Sequence, residues 1–151
     1  WSLPVDDIVQ SLNTIFDVQL TLADHGYTAV DMYDGCFNYD FETSRTYVFD
    51  LDEYRVGPFV LDSDRLPGSR RFMAPEEWTK GVTIDQVTNV FTLGRTAAEF
   101  LGRGSTSSET WMGSSQMRAV TLRAISQNRW ERHQSVREFV TDWRRATNLS
   151  L

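Results

Sequence analysis

The sequence predicts a mainly α-helical domain that carries one small β-hairpin. Three observations support this fold class. Apolar residues recur every three or four positions from Val5 to Ala23, which is the period of an amphipathic helix. Two runs rich in β-forming residues, CFNYDF and TYVFDL, flank the polar stretch ETSR, as in a hairpin. After residue 83 the apolar pattern is again helical.

Each predicted element has a recognisable boundary. The first helix ends before Gly26, a residue type that commonly terminates helices. The hairpin occupies residues 36–51. Residues 52–72 contain a Gly-Pro and a Pro-Gly pair without a sustained period, which predicts a long loop. Over residues 84–102 apolar side chains surround most of the helix, so we expect it to be buried on several sides and to form the core.

Two shorter helices complete the predicted fold. A loop of small residues, GRGSTSSE, precedes a helix over residues 114–126. The last helix covers residues 135–146, where Ser135 as N-cap and Glu138 three residues later form a capping box. His133 is expected in a solvated loop before it. Five aromatic side chains are expected to fill the core or an interface: Phe72, Trp78, Phe91, Trp130 and Trp143.

The composition indicates one acidic globular domain. A chain of 151 residues with 40% hydrophobic content can bury a substantial core. Its formal net charge of −6 argues against a nucleic-acid or anionic membrane partner, since both need a positive field. Cys36 is the only cysteine, so no internal disulfide can form, and no apolar run approaches the roughly 18 residues of a membrane span. We therefore expect a cytoplasmic protein.

Two turns that carry carboxylates precede an Ala-Pro-Glu triplet. Asp31 follows the first helix in HGYTAVDMYDGC, and Asp50 ends a hairpin strand in VFDLDEY. The segment GSRRFMAPEEW comes next, before the buried helix. Its triplet also fits a plain helix start, because proline at the first helical position wastes no hydrogen bond and carboxylates there face the positive end of the helix dipole. The order of the pieces is therefore more informative than the triplet alone.

This order resembles the C-terminal lobe of the protein-kinase-like superfamily, of the Ser/Thr protein kinase type. That family has a loop Asp, an Asn five residues later, a strand-end Asp-Phe-Gly and an activation segment ending in Ala-Pro-Glu. Here GYTAVD matches Gly-x-x-His-Arg-Asp, and DLD takes the place of Asp-Phe-Gly. GSRRFMAPE is similar to GTxxYMAPE, NVFTLG to DVWSLG, and RHQSVREF to a late segment. The resemblance covers nearly the whole chain, residues 1–151.

The resemblance implies roles for individual residues. Asp31 would be the catalytic carboxylate that orients the acceptor hydroxyl, and Asp50 would hold Mg²⁺ against the phosphates of ATP. Asp34 and Asp52 are additional carboxylates that could replace a missing metal ligand. Glu76 is expected to form a largely buried ion pair with the Arg of the late segment. The residues assigned to the activation segment and to this pair are Ser69, Ala74, Pro75, Glu76 and Arg132.

Several positions depart from the family pattern. Ala29 and Val30 replace the usual His and Arg, and Asn89 replaces an Asp that ties the buried helix to the catalytic loop. Cys36 stands where the family has the Asn that binds a second metal, and sulfur is a poor Mg²⁺ ligand. A small buried apolar role for Cys36 is an equal alternative. The sole lysine, Lys80, follows Ala-Pro-Glu and cannot be the family's ATP-binding strand lysine.

These observations leave several functions open. No Gly-x-Gly-x-x-Gly loop is present and the chain lacks an initiating methionine, so we expect the N-terminal lobe to lie outside it. With that lobe, the protein would use ATP and Mg²⁺ to phosphorylate Ser or Thr of a protein substrate. The alternatives are a small-molecule phosphotransferase of the aminoglycoside- or choline-kinase type, a pseudokinase that serves as a binding platform, and an unrelated helical scaffold.

Overall fold

The computed structural model describes residues 3–148, which form four α-helices and three two-stranded antiparallel sheets. The helices are α1 (Val5–Asp24), α2 (Gln86–Gly102), α3 (Ser115–Ala124) and α4 (Val136–Asn148). The strands are β1 (Tyr27–Thr28), β2 (Phe37–Asp40), β3 (Arg45–Val48), β4 (Arg55–Val56), β5 (Phe59–Val60) and β6 (Thr83–Ile84). The predicted helix-rich domain with a small hairpin is therefore confirmed.

The main core lies where α1, α2 and α4 meet. The apolar face of α1 places Phe16 against two aromatic residues of α4, with ring centroids 5.0 Å from Phe139 and 5.1 Å from Trp143. Helix α2 runs through this core and most of its residues are buried, as its apolar pattern predicts. Gly94 allows α3 to approach closely, because a Cβ there would lie 2.7 Å from that of Ala124.

The hairpin of β2 and β3 is present as predicted, with its turn at residues 41–44, one residue earlier than the polar stretch ETSR. Phe37 pairs with Val48 at its base and Asp40 with Arg45 at its tip. One further bond, from the Phe49 N–H to the Cys36 carbonyl at 3.0 Å, extends the base. The hairpin therefore brings the residues that precede β2 next to those that follow β3.

The predicted long loop is more ordered than its sequence indicates. It contains β4, which pairs with β1, and β5, which pairs with β6. Beneath it lies a second apolar cluster, which consists of Val30, Leu61, Leu66, Met73 and Ile84. These contacts hold the segment before the Ala-Pro-Glu triplet against the body of the domain.

Two local predictions were wrong. Helix α2 begins at Gln86, because Asp85 caps it by accepting hydrogen bonds from the N–H groups of Val87 and Thr88. His133 is fully buried, whereas a solvated loop was expected. Trp130, predicted to fill the core or an interface, is 80% exposed, which rules out the core. None of the helices in the described part of the chain combines the length and apolar character needed to cross a membrane.

Candidate active site

The loop that carries Asp31 is hydrogen-bonded to helix α2. Asn89 is buried and brackets Ala29, accepting its N–H at 2.8 Å through Oδ1 and donating to its carbonyl at 2.9 Å through Nδ2. An amide can fill both roles at once, which a carboxylate cannot. The Asn89 departure therefore preserves a link between the buried helix and this loop.

Asp31 and Asp50 are neighbours at the base of the hairpin. The Cys36 thiol donates to the Asp31 carbonyl at 3.5 Å, and the Phe49 N–H binds the Cys36 carbonyl, so Asp50 follows immediately. Both aspartates have left-handed backbones, with φ of 59° and 64°. Burial raises the pKa of Asp31, and the nearby carboxylates of Asp50 and Glu53 raise it further. The two predicted site carboxylates thus lie within electrostatic reach.

Cys36 is a buried side chain that braces the loop. It is 2% exposed, and burial raises the pKa of its thiol, so the group is protonated at neutral pH. A protonated thiol is not a metal ligand, because the thiolate is the form that binds metals. The geometry agrees with the apolar reading of Cys36, and the residue offers no substitute for an Asn oxygen.

Asp34 is held by an arginine of the later segment. Arg71 donates two hydrogen bonds to its carboxylate, at 2.9 and 2.8 Å, and a third at 2.7 Å to Glu99 of α2. This bridge ties the Asp31 loop, the segment before Ala74 and α2 together. Arg71 is therefore already paired with two carboxylates.

The requirements of Mg²⁺ limit which of these carboxylates could bind it. Within residues 3–148 no group of three or more His, Cys, Asp or Glu side chains comes together that could hold a metal ion. Protein-bound Mg²⁺ often uses only one or two carboxylates, with nucleotide phosphates and water as the other ligands. Asp50, exposed and beside Asp31, fits that limited role. Asp52 lies exposed in the following turn, and Asp34 is engaged by Arg71.

The Ala-Pro-Glu triplet starts a short 3₁₀-helix, Pro75–Trp78, with Ala74 at its N-cap. The expected ion pair is present: Arg132 binds both Glu76 carboxylate oxygens, at 2.7 and 3.1 Å. Glu76 is 8% and Arg132 1% exposed. Burial alone would raise the pKa of Glu76, but the hydrogen bonds and charge of Arg132 hold it below its usual range. The triplet is thus both a helix start and an anchor.

Glu77 is a buried carboxylic acid near Asp31 that was not among the predicted site residues. It is 5% exposed, and its Oε2 accepts the Ala74 N–H at 2.5 Å. It lines a cavity of about 10 Å³ together with Asp31, Gly68 and Thr92. Asp50 does not line this cavity. A Glu three residues after an N-cap is a capping signal that indicates the hydrogen bond, but it does not indicate burial.

Comparison with known proteins adds no assignment. The sequence matches no family model and no curated protein. Any function therefore has to rest on the arrangement of Asp31, Asp50, Asn89 and the Glu76–Arg132 pair.

Proposed function

We propose that this chain is the C-terminal lobe of a protein-kinase-like phosphotransferase that transfers phosphate from ATP to a Ser or Thr hydroxyl. The observation that carries the proposal is the pair of carboxylates at the hairpin base. Asp31 and Asp50 are 19 positions apart in sequence, yet Asp50 raises the pKa of Asp31. Phosphoryl transfer needs one carboxylate for the acceptor and one for the metal.

The roles of the two aspartates follow from their surroundings. Asp31 is partly buried, and its raised pKa makes it a better proton acceptor than an ordinary exposed aspartate. It would orient the acceptor hydroxyl and receive its proton on a carboxylate oxygen. Asp50 is exposed and would hold Mg²⁺, which when bound with ATP neutralises charge on the transferred phosphate.

The ordered segment of residues 68–78 favours a protein as the phosphate acceptor. Residues 68–78 are fixed beside Asp31 by the Arg71 bridge at one end and the Glu76–Arg132 pair at the other. A segment held in this way provides an ordered surface along which an extended peptide could place its hydroxyl near Asp31. A small-molecule acceptor would not need such a surface.

A second candidate is a binding platform without catalysis. Two observations favour it: the Cys36 thiol is buried and protonated, and Arg71 occupies the Asp34 carboxylate. Both reduce the number of ligands available for a second metal ion. This candidate uses the same fold and differs in whether ATP is consumed.

The test is ATP consumption with Mg²⁺ by the full-length protein, comparing wild type with Asp31→Asn, Asp50→Asn and Cys36→Asn. Asp62→Asn, an exposed loop carboxylate, is the matched control. We expect Asp31→Asn and Asp50→Asn to abolish transfer, Cys36→Asn to preserve or raise it, and the control to match wild type. Transfer that survives Asp50→Asn would show that the metal assignment is wrong. Transfer absent from every protein, wild type included, would favour the binding platform.

A further inference from the structure

Glu77 occupies an unusual position for a carboxylic acid. Its side chain is turned back to the Ala74 N–H, and its own carbonyl accepts the Leu66 N–H at 3.0 Å. The residue therefore joins the beginning and the end of the segment 66–78. Glu77 also lines the small cavity that Asp31 lines, and the other residues around this cavity are largely apolar apart from Thr92 of α2.

Three charged residues surround this carboxyl. Glu76 precedes it on the same turn, Arg132 pairs with Glu76 from the loop before α4, and Asp31 lines the same cavity. Burial is the main cause that raises the pKa of Glu77 to about 7 and outweighs the hydrogen bond from the Ala74 N–H, which lowers it; Glu76 raises it as well, and Arg132 lowers it. Arg132 is already bound by Glu76, so its charge gives Glu77 little compensation.

We propose that Glu77 is a proton-controlled latch: its carboxyl fastens residues 66–78 beneath the loop of Asp31 when protonated and loosens them when it ionises. The protonated group retains a carbonyl oxygen for the Ala74 N–H and brings no charge into the cavity. The ionised group keeps the hydrogen bond but carries an uncompensated charge that water solvates better than the cavity does. Only the effect of the latch on transfer rests on the proposed function.

The direction of the effect follows from proton linkage. The folded-state pKa of about 7 lies above the ordinary value of 4.5, so the closed segment binds more protons than the open one between these values. The contribution of Glu77 to closure is therefore fully present below pH 4.5 and is lost as pH rises to 7. A segment that opens without unfolding the domain should follow the same rule.

The experiment uses this chain without ATP. The backbone amide resonance of Ala74 is followed between pH 4 and pH 9, and amide hydrogen exchange of residues 66–78 is measured at pH 5 and pH 8, corrected for intrinsic rates. Because Ala74 donates to the titrating carboxyl, its shift should report a midpoint near 7. Protection of the segment should fall by roughly ten- to a hundredfold between the two pH values, as linkage over these pKa values requires. The Glu77→Gln variant should show neither change, whereas Glu42→Gln, an exposed hairpin residue, should behave as wild type.

Two results would overturn the latch. One is an Ala74 resonance in the wild-type chain that titrates below pH 5 or does not titrate, which needs no variant to interpret. The other is loss of protection that persists in Glu77→Gln, since a different group would then be responsible. Both readouts are independent of phosphate transfer, so an inactive protein with a titrating latch would refute the proposed function alone.

Discussion

Removing the Arg132 guanidinium tests whether the Ala-Pro-Glu triplet is anchored as the structure indicates. In Arg132→Met the aliphatic stem is approximately retained, but five contacts are lost. These are two hydrogen bonds to Glu76, one to the Ser126 carbonyl at 2.7 Å, one to the Val87 carbonyl at 3.4 Å, and the contact of the guanidinium with the Phe91 ring, whose centroid lies 4.9 Å away. The carboxylate of Glu76 is left buried, and Arg129, 4.0 Å away, is then its one remaining ion-pair partner among residues 3–148.

The expected loss is large for a single substitution. Breaking a buried ion pair by removing one partner costs about 3–5 kcal/mol, because the remaining charge is not compensated. For a domain of this size each kcal/mol corresponds to about 2–4 °C, so the midpoint of thermal unfolding should fall by roughly 6–20 °C. The Glu76→Gln/Arg132→Met double variant should recover part of that loss, since it removes the stranded charge as well.

Urea and thermal unfolding of the chain, followed by circular dichroism, give the free energy. Arg71→Met is the matched control: Arg71 also pairs with carboxylates, but its side chain is 51% exposed, so about 1 kcal/mol or less is expected. The pKa of Glu76 is lowered in the wild type, so the stability that it contributes is present above about pH 4.5 and lost as pH falls further. The difference between wild type and Arg132→Met should shrink accordingly in acid. An Arg132→Met variant no less stable than Arg71→Met would refute the buried-pair reasoning.

Two further predictions concern polar groups in the core. Asn89→Asp keeps an acceptor for the Ala29 N–H but sets a carboxylate oxygen against the Ala29 carbonyl, so it should cost about 1–3 kcal/mol at pH 7 in urea unfolding. An Asn89→Asp variant as stable as wild type would show that the two hydrogen bonds between Asn89 and Ala29 contribute little to stability. Burial, then Arg123, lowers the pKa of His133, so wild type should lose stability as pH falls below about 6.5. The His133→Phe variant, whose ring would pack against Phe139, should not lose stability in this way. Thermal midpoints of wild type and variant that change in parallel from pH 8 to pH 5 would contradict this prediction.

Much of the fold was predictable because its determinants are local. Helices α1 and α2 are marked by apolar period, α4 by Ser135, whose hydroxyl accepts the Glu138 N–H at 3.0 Å, and the hairpin by alternating residues around a polar turn. The strands β1, β4, β5 and β6 have only two residues each and pair with partners far away in the sequence. So short a run has no period to recognise, and its pairing depends on tertiary contacts.

The site was predicted less completely, for a similar reason. The order of carboxylates and the Ala-Pro-Glu triplet pointed to Asp31, Asp50 and the Glu76–Arg132 pair, and the structure brings these partners together. The burial of His133 and Glu77 could not be predicted, because polar neighbours in sequence normally indicate solvent exposure. In the folded chain apolar side chains from other elements cover both residues, such as Phe139 beside His133.

The left-handed backbone at Asp31 and Asp50 limits which amino acids these positions can accept. Asparagine, aspartate and glycine adopt positive φ readily, whereas other residues lose roughly 1–2 kcal/mol there. An alanine scan would therefore mix a loss of chemistry with a strained turn. The same restriction bears on sequence drift: a chain that no longer needed its two carboxylates would be expected to replace them first by Asn or Gly. Retention of aspartate at both positions among related chains would then indicate selection for the carboxylate, because the backbone geometry alone would also accept Asn or Gly.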